Sequence, residues 1–193
     1  MNRFVSFLLL IGMSVGAAAQ GTANSSGLNY TYAEIGYGQV KFDDPDIDGD
    51  GFGIGGSFAL TDQFHLFAGY STADLDFDVD ATNFDVGFGF NTPLADNIDV
   101  VATLAYVYVE LDAPGFGSAD DNGLGGGLGL RALVNPQVEL FGGVEYIDLS
   151  DSGSDTALNL GGRYNFNQQF AVGLSGSWSD DASSYTLTGR MYF

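Results

Sequence analysis

The sequence predicts an all-β chain that closes into a transmembrane, antiparallel, up-and-down barrel of about ten strands, with eight as the alternative count. Three observations carry this reading. Apolar residues alternate with small or polar ones along almost the whole chain after residue 27. Such a period of two gives a strand two different faces. The links between the alternating runs are short and long by turns. Aromatic residues gather near both ends of the runs, as they do at the two interfaces of a bilayer.

TNFDVGFGFN, residues 82–91, shows the alternation plainly. Thr82, Phe84, Val86, Phe88 and Phe90 fall on one face, and Asn83, Asp85, Gly87, Gly89 and Asn91 on the other. The first strand, near 28–42, is harder to phase, and Ala33, Ile35 and Tyr37 are placed on its apolar side. The runs that follow carry Phe52, Ile54, Phe58 and Leu60, then Phe64, Leu66, Ala68 and Tyr70. After residues 82–91 come Ile98, Val100, Leu104, Tyr106 and Tyr108, then Leu124, Leu128, Leu130 and Val134. The last four runs carry Val138 to Tyr146, Leu158 to Phe166, Phe170 to Trp178 and Tyr185 to Phe193. Short turns are expected at 61–63, 92–97, 135–137 and 167–169, and longer acidic links at 43–50, 73–80, 112–122, 150–155 and 180–183.

A soluble sandwich would turn the same apolar face inward. Two features argue against it. The opposite face is mostly glycine and serine (Gly123, Gly125, Gly127, Gly129, Gly173, Ser175, Ser177) rather than the Lys, Glu and Thr of a solvated sheet. The aromatics also form two girdles. Phe52, Tyr70, Phe84, Tyr108, Tyr146, Trp178 and Tyr185 lie by the long links, and Phe64, Phe90, Phe166, Phe170 and Phe193 by the short turns.

Residues 1–19 read as a secretory leader: a basic start with Arg3, a short apolar core, and Ala17–Ala19 before Gln20. Export through the Sec pathway with cleavage near Ala19/Gln20 is the expectation, leaving residues 20–193 as the barrel. The chain has no cysteine, which excludes disulfides, zinc–thiolate sites and cysteine nucleophiles. It holds 25 acidic and 5 basic residues among 193, a net charge of −20. Such a surface repels nucleic-acid phosphates. With 45% hydrophobic and 14% aromatic residues, the chain is far from the composition of disorder.

The bases left after the leader are Lys41, Arg131, Arg163 and Arg190, and all three arginines fall on the non-apolar face. A charge facing lipid at mid-depth costs roughly 2–4 kcal/mol, so these side chains must point inward. The interior acids Glu34, Asp99 and Glu139 fall in the same half, by the short turns. An ion-pair cluster in the lumen is expected there, either as a packed plug or as a constriction. Asp85 and Glu145 sit nearer the long links with no base in view, and are expected at a negative mouth.

Catalysis is not expected. His65 is the one histidine; it follows a short turn, faces inward, and is read as a hydrogen-bonded interior residue. A barrel protease would need its histidine at the long-link rim, and a barrel deacylase a His–Ser pair facing lipid. No HExxH, P-loop or GxSxG occurs. The acidic run DDPDIDGDG places Asp44, Asp46, Asp48 and Asp50 at alternate positions, like half of a calcium loop. Counted from Asp44, however, the ninth position is Phe52 and the twelfth is Gly55, where a helix–loop–helix site needs an oxygen ligand and a bidentate Glu. Two expectations stay open for this run: solvated loops, or weak Ca2+ or Mg2+ association bridging to anionic lipopolysaccharide. No other cofactor is expected.

The leader, the opening LNYTYAEIGYG, the FHLFAGYS strand and the aromatic C-terminus resemble the small outer-membrane β-barrel proteins of Gram-negative bacteria. That broad group includes the OmpA transmembrane domain and OmpX, and within it the chain is most similar to an acidic, ten-stranded, porin-like subgroup. The resemblance implies residence in the outer membrane, contact with its lipid and lipopolysaccharide, and assembly by the outer-membrane insertion machinery. In this group that machinery reads a C-terminal aromatic, here Phe193. The usual glycine five residues earlier is replaced by Thr188, with Gly189 one step late. The expected role is a non-enzymatic, monomeric barrel that is structural or presents acidic loops. A narrow passive channel of porin type is the alternative.

Overall fold

The computed structural model describes residues 26–43, 46–115 and 117–193. The expected leader, Asp44 and the side chain of Asp46 lie outside this description. Ten strands form: β1 (Tyr32–Asp43), β2 (Asp46–Ala59), β3 (Phe64–Leu75), β4 (Val79–Ala95), β5 (Ile98–Ala113), β6 (Gly117–Asn135), β7 (Val138–Leu149), β8 (Gly153–Asn165), β9 (Phe170–Trp178) and β10 (Ala182–Tyr192). Each pairs antiparallel with its chain neighbours, and β1 pairs with β10, so the sheet closes and no edge remains. A closed barrel satisfies every backbone group internally, as hydrocarbon requires.

The faces fall as the period of two demands. Ile54, Phe88, Leu104, Leu128 and Leu174 point outward and are exposed, Leu128 at 63%. Both girdles form on the outer surface. Tyr37–Phe52 and Trp178–Tyr185 pack at 5.1 and 5.9 Å at one end, and Phe64–Phe90 and Tyr164–Phe166 at 5.2 and 5.3 Å at the short-turn end.

The acidic links prove to be mostly strand. β1 runs to Asp43 and β2 starts at Asp46; β3 runs to Leu75, and one 3-10 turn, Asp76–Asp78, separates it from β4. The strands therefore continue past the aromatic girdle, and along these extensions the two faces exchange character. Outside, Asp50 stands opposite Asp74, Asp74 opposite Asp80, and Asp80 opposite Asp112, a row of four carboxylates across β2–β5. Inside, Val40, Phe42, Leu75, Val109, Ile147 and Leu149 pack into a buried apolar cluster, with Val109 at 0% exposure. Within the membrane belt the strands are apolar outside and small or polar inside. Beyond the girdle they are acidic outside and apolar inside, like the wall of a water-soluble domain.

Candidate functional site

The lumen is closed at the short-turn end by a polar floor. Arg131 Nε lies 2.8 Å from Glu139 Oε1, and Arg163 Nη1 lies 3.0 Å from the same oxygen. Arg190 Nε lies 2.6 Å from Glu34 Oε2, with Arg163 Nη2 3.7 Å from that atom. Three arginines from β6, β8 and β10 thus share two glutamates from β7 and β1. The register places them together, since Glu139 stands opposite Arg163 and Glu34 opposite Arg190. Each guanidinium also covers a ring: Arg190 over Tyr32 at 3.4 Å, Arg131 over Tyr30 at 4.4 Å, and Arg163 over Phe141 at 4.9 Å. Such stacking suits the planar, weakly hydrated guanidinium.

Asp99 also reaches the floor through Tyr30. The Tyr30 hydroxyl donates to Asp99 Oδ2 at 2.8 Å. Tyr30 belongs to a segment the sequence reading ran into the first strand. Residues 28–31 precede β1 and fold into the barrel, with Leu28, Tyr30 and Thr31 buried. The segment is tied down at several points. Asn29 Nδ2 donates to the Phe193 carbonyl at 3.0 Å, the Phe193 N–H donates to the Thr31 carbonyl at 3.1 Å, and the Ala59 N–H donates to Thr31 Oγ1 at 3.1 Å. The ring of Tyr30 stacks on His65 at 4.8 Å, and His65 Nδ1 is 3.2 Å from Asn91 Oδ1. His65 is thereby held as part of the floor, with no serine against it among these contacts.

Asp85 and Glu145, expected at a negative mouth, line a cavity inside the barrel. On β4 the inward residues beyond Asp85 are Asn83 and then Ala81, and on β7 those beyond Glu145 are Ile147 and Leu149; Ala81, Ile147 and Leu149 belong to the apolar cluster. That cluster packs inside the barrel beyond the two carboxylates, and Asp85 is 6% exposed. Between the floor and that cluster lies a cavity of about 360 Å³. Gly125, Gly127, Gly129 and Gly143 line it, and their missing side chains leave the room. Asp85, Glu145, Asn159, Thr103 and Ser175 supply its polar wall. The apolar cluster lies where the sequence reading expects acidic links. Its signal was available: in ADLDFDVD the apolar residues alternate with the acids.

Of the acidic run at 43–51, Asp48 pairs with Lys41 at 3.6 Å, and its N–H donates to Asp76 Oδ2 at 3.0 Å. Among the described residues no group of three or more His, Asp or Glu side chains is arranged to hold one metal ion.

A closed ten-stranded barrel with an apolar belt, two aromatic girdles and a polar lumen is the architecture of an outer-membrane barrel protein. The chain belongs to the outer membrane protein beta-barrel domain family, whose model matches residues 5–166. Among curated proteins none matches the chain. Among solved structures, an outer membrane channel from Pseudomonas putida F1 superposes with a TM-score of 0.56 at 11% identity, over 93% of this chain and 100% of that one. The KdgM porin in complex with oligogalacturonate has a TM-score of 0.47 at 10% identity, over 84% and 99% of the two chains. Neisserial surface protein A has 0.43 at 14%, over 84% and 96%. At these identities the likeness is one of fold.

Proposed function

We propose that this protein is a non-enzymatic outer-membrane barrel with a closed lumen, and that it acts through its acidic extracellular end. The observation that supports this reading is the packing of buried side chains inside the barrel at two levels, the arginine–glutamate–tyrosine floor and the apolar cluster. The strand extensions then form a rigid, water-facing rim whose outer wall is carboxylate. With no compact cage among the described residues, Ca2+ or Mg2+ would associate with the row Asp50–Asp74–Asp80–Asp112 and with Asp48 as a diffuse layer, bridging to anionic lipopolysaccharide headgroups. The second reading, a narrow passive channel, draws its support from the cavity at mid-height. Planar-bilayer conductance of the refolded protein separates them, once a folded, heat-modifiable band is seen on a gel. The closed reading expects silence; discrete conductance steps would establish the channel instead.

A further inference from the structure

We propose that residues 26–31 form a strap across the lumen, an autoinhibitory segment that shuts the short-turn end of the cavity and can leave it while the wall of ten strands stays intact.

The segment crosses the barrel. It joins the wall at Tyr32, where β1 begins its pairings with β2 and β10. Other contacts lie far round the ring. The Asn29 carbonyl accepts from Arg131 Nη1 and Nη2 at 3.4 Å each, and the Tyr30 hydroxyl reaches Asp99 of β5. Gly27, at a φ of +78°, turns the chain beside Leu133. Arg131 and Leu133 belong to β6, which stands five places from β1 whichever way round the ten strands are counted. Residues 26–31 therefore run from one wall to the opposite one, and Leu28, Tyr30 and Thr31 are buried on the way.

The rest of the floor leaves a gap that this crossing fills. The arginine–glutamate pairs come from β6, β7, β8, β10 and β1, one side of the ring. On the other side, β2 to β5 hold no arginine or lysine. There Tyr30 stacks on His65 of β3, bonds Asp99 and lines the cavity. Withdrawing it lengthens the cavity toward the short turns. The wall keeps every rung, because the strand pairings of β1 start only at Tyr32. The side-chain hydrogen bonds of the strap can be exchanged for bonds to water at small net cost. A segment outside the ladder also opens at a lower free energy than the ladder itself. Such a strap rests on the closed lumen proposed above and gives that closure a movable part.

A thiol under the strap tests this. Ser57 points inward on β2, is 1% exposed, and stands opposite Tyr32, where the strap leaves the wall. The chain has no cysteine, so Ser57→Cys supplies its sole thiol. The full barrel chain is refolded in detergent, and the rate of modification by a charged methanethiosulfonate reagent is followed by intact mass. Adding Leu28→Ser/Tyr30→Ser should raise that rate about tenfold or more while the heat-modifiable band persists. If the combined variant does not fold, Tyr30→Ser alone serves, with a rise of about threefold expected. A folded variant whose thiol reacts no faster overturns the proposal. So does an equal rise from Phe42→Ser in the apolar cluster, which would mean general loosening, and so does failure of both strap variants to fold, which would make the wall depend on the strap. Bilayer conductance of the parent keeps the two readings apart. An unresponsive thiol in a silent barrel overturns the strap alone, and a parent that already conducts overturns the closed lumen and the strap together.

Discussion

Tyr30 ties three parts of the floor together. Its ring lies between His65 and the Arg131 guanidinium, and its hydroxyl donates to buried Asp99. Tyr30→Phe keeps the ring contacts and removes only that donor. Taking a donor from a buried carboxylate costs about 1–3 kcal/mol. The variant should therefore melt below the parent in detergent by that margin, and an unchanged urea midpoint would show that the hydroxyl contributes nothing. Arg131, Arg163, Arg190, Glu34 and Glu139 could all be placed inward from the sequence, because a charge in a lipid-crossing strand has one affordable direction. Tyr30 could not. Nothing in LNYTY distinguishes the last residues before a strand from the strand itself, and the segment's place inside the barrel depends on Asn29 meeting Phe193, which lies 164 positions away.

At the scale of the element, the strands were legible because alternation survives on every one of them. Their outer limits were not. The rule that acidic, apolar-poor stretches are loops fails where a strand leaves the membrane, since the face that must be apolar in lipid must then be polar in water. The carboxylate row across β2–β5 is the clearest case. Like charges directly opposite each other on neighbouring strands are destabilising by roughly 0.2–1 kcal/mol per pair. Asp80 has an acid on each side, Asp74 and Asp112. Asp80→Asn should thus raise the stability of the extension by about that amount at low ionic strength, and the gain should shrink as salt or Mg2+ is added. Amide hydrogen exchange of β3–β5 beyond Tyr70 would read it. Slower exchange in the variant is the expected result; equal rates at low salt would show that the repulsion is already relieved.

On the scale of the whole molecule, the barrel has a sharp upper boundary. Tyr37, Phe52, Tyr70 and Phe84 sit on the outer wall where apolar residues end, and within a few residues the same wall carries Asp50, Asp74 and Asp80. A helix can answer a thicker or thinner bilayer by tilting. A closed, ten-stranded cylinder is too stiff and too nearly round to gain much that way. Raising it exposes Ile54 and Phe88 to water, and lowering it drives the carboxylate row of β2–β5 into hydrocarbon. The lipid must then adjust to the protein. Refolding into phosphatidylcholine vesicles of graded acyl-chain length should show a narrow optimum in folded yield, falling on both sides; a flat yield across the series would mean that the boundary does not set depth. The exchange of faces along each strand thus works as a height mark. Around each copy the leaflet is held at one thickness, and two barrels that meet in a membrane of another thickness would share a smaller perimeter of deformed lipid than two kept apart, a weak attraction that needs no matching surface between them.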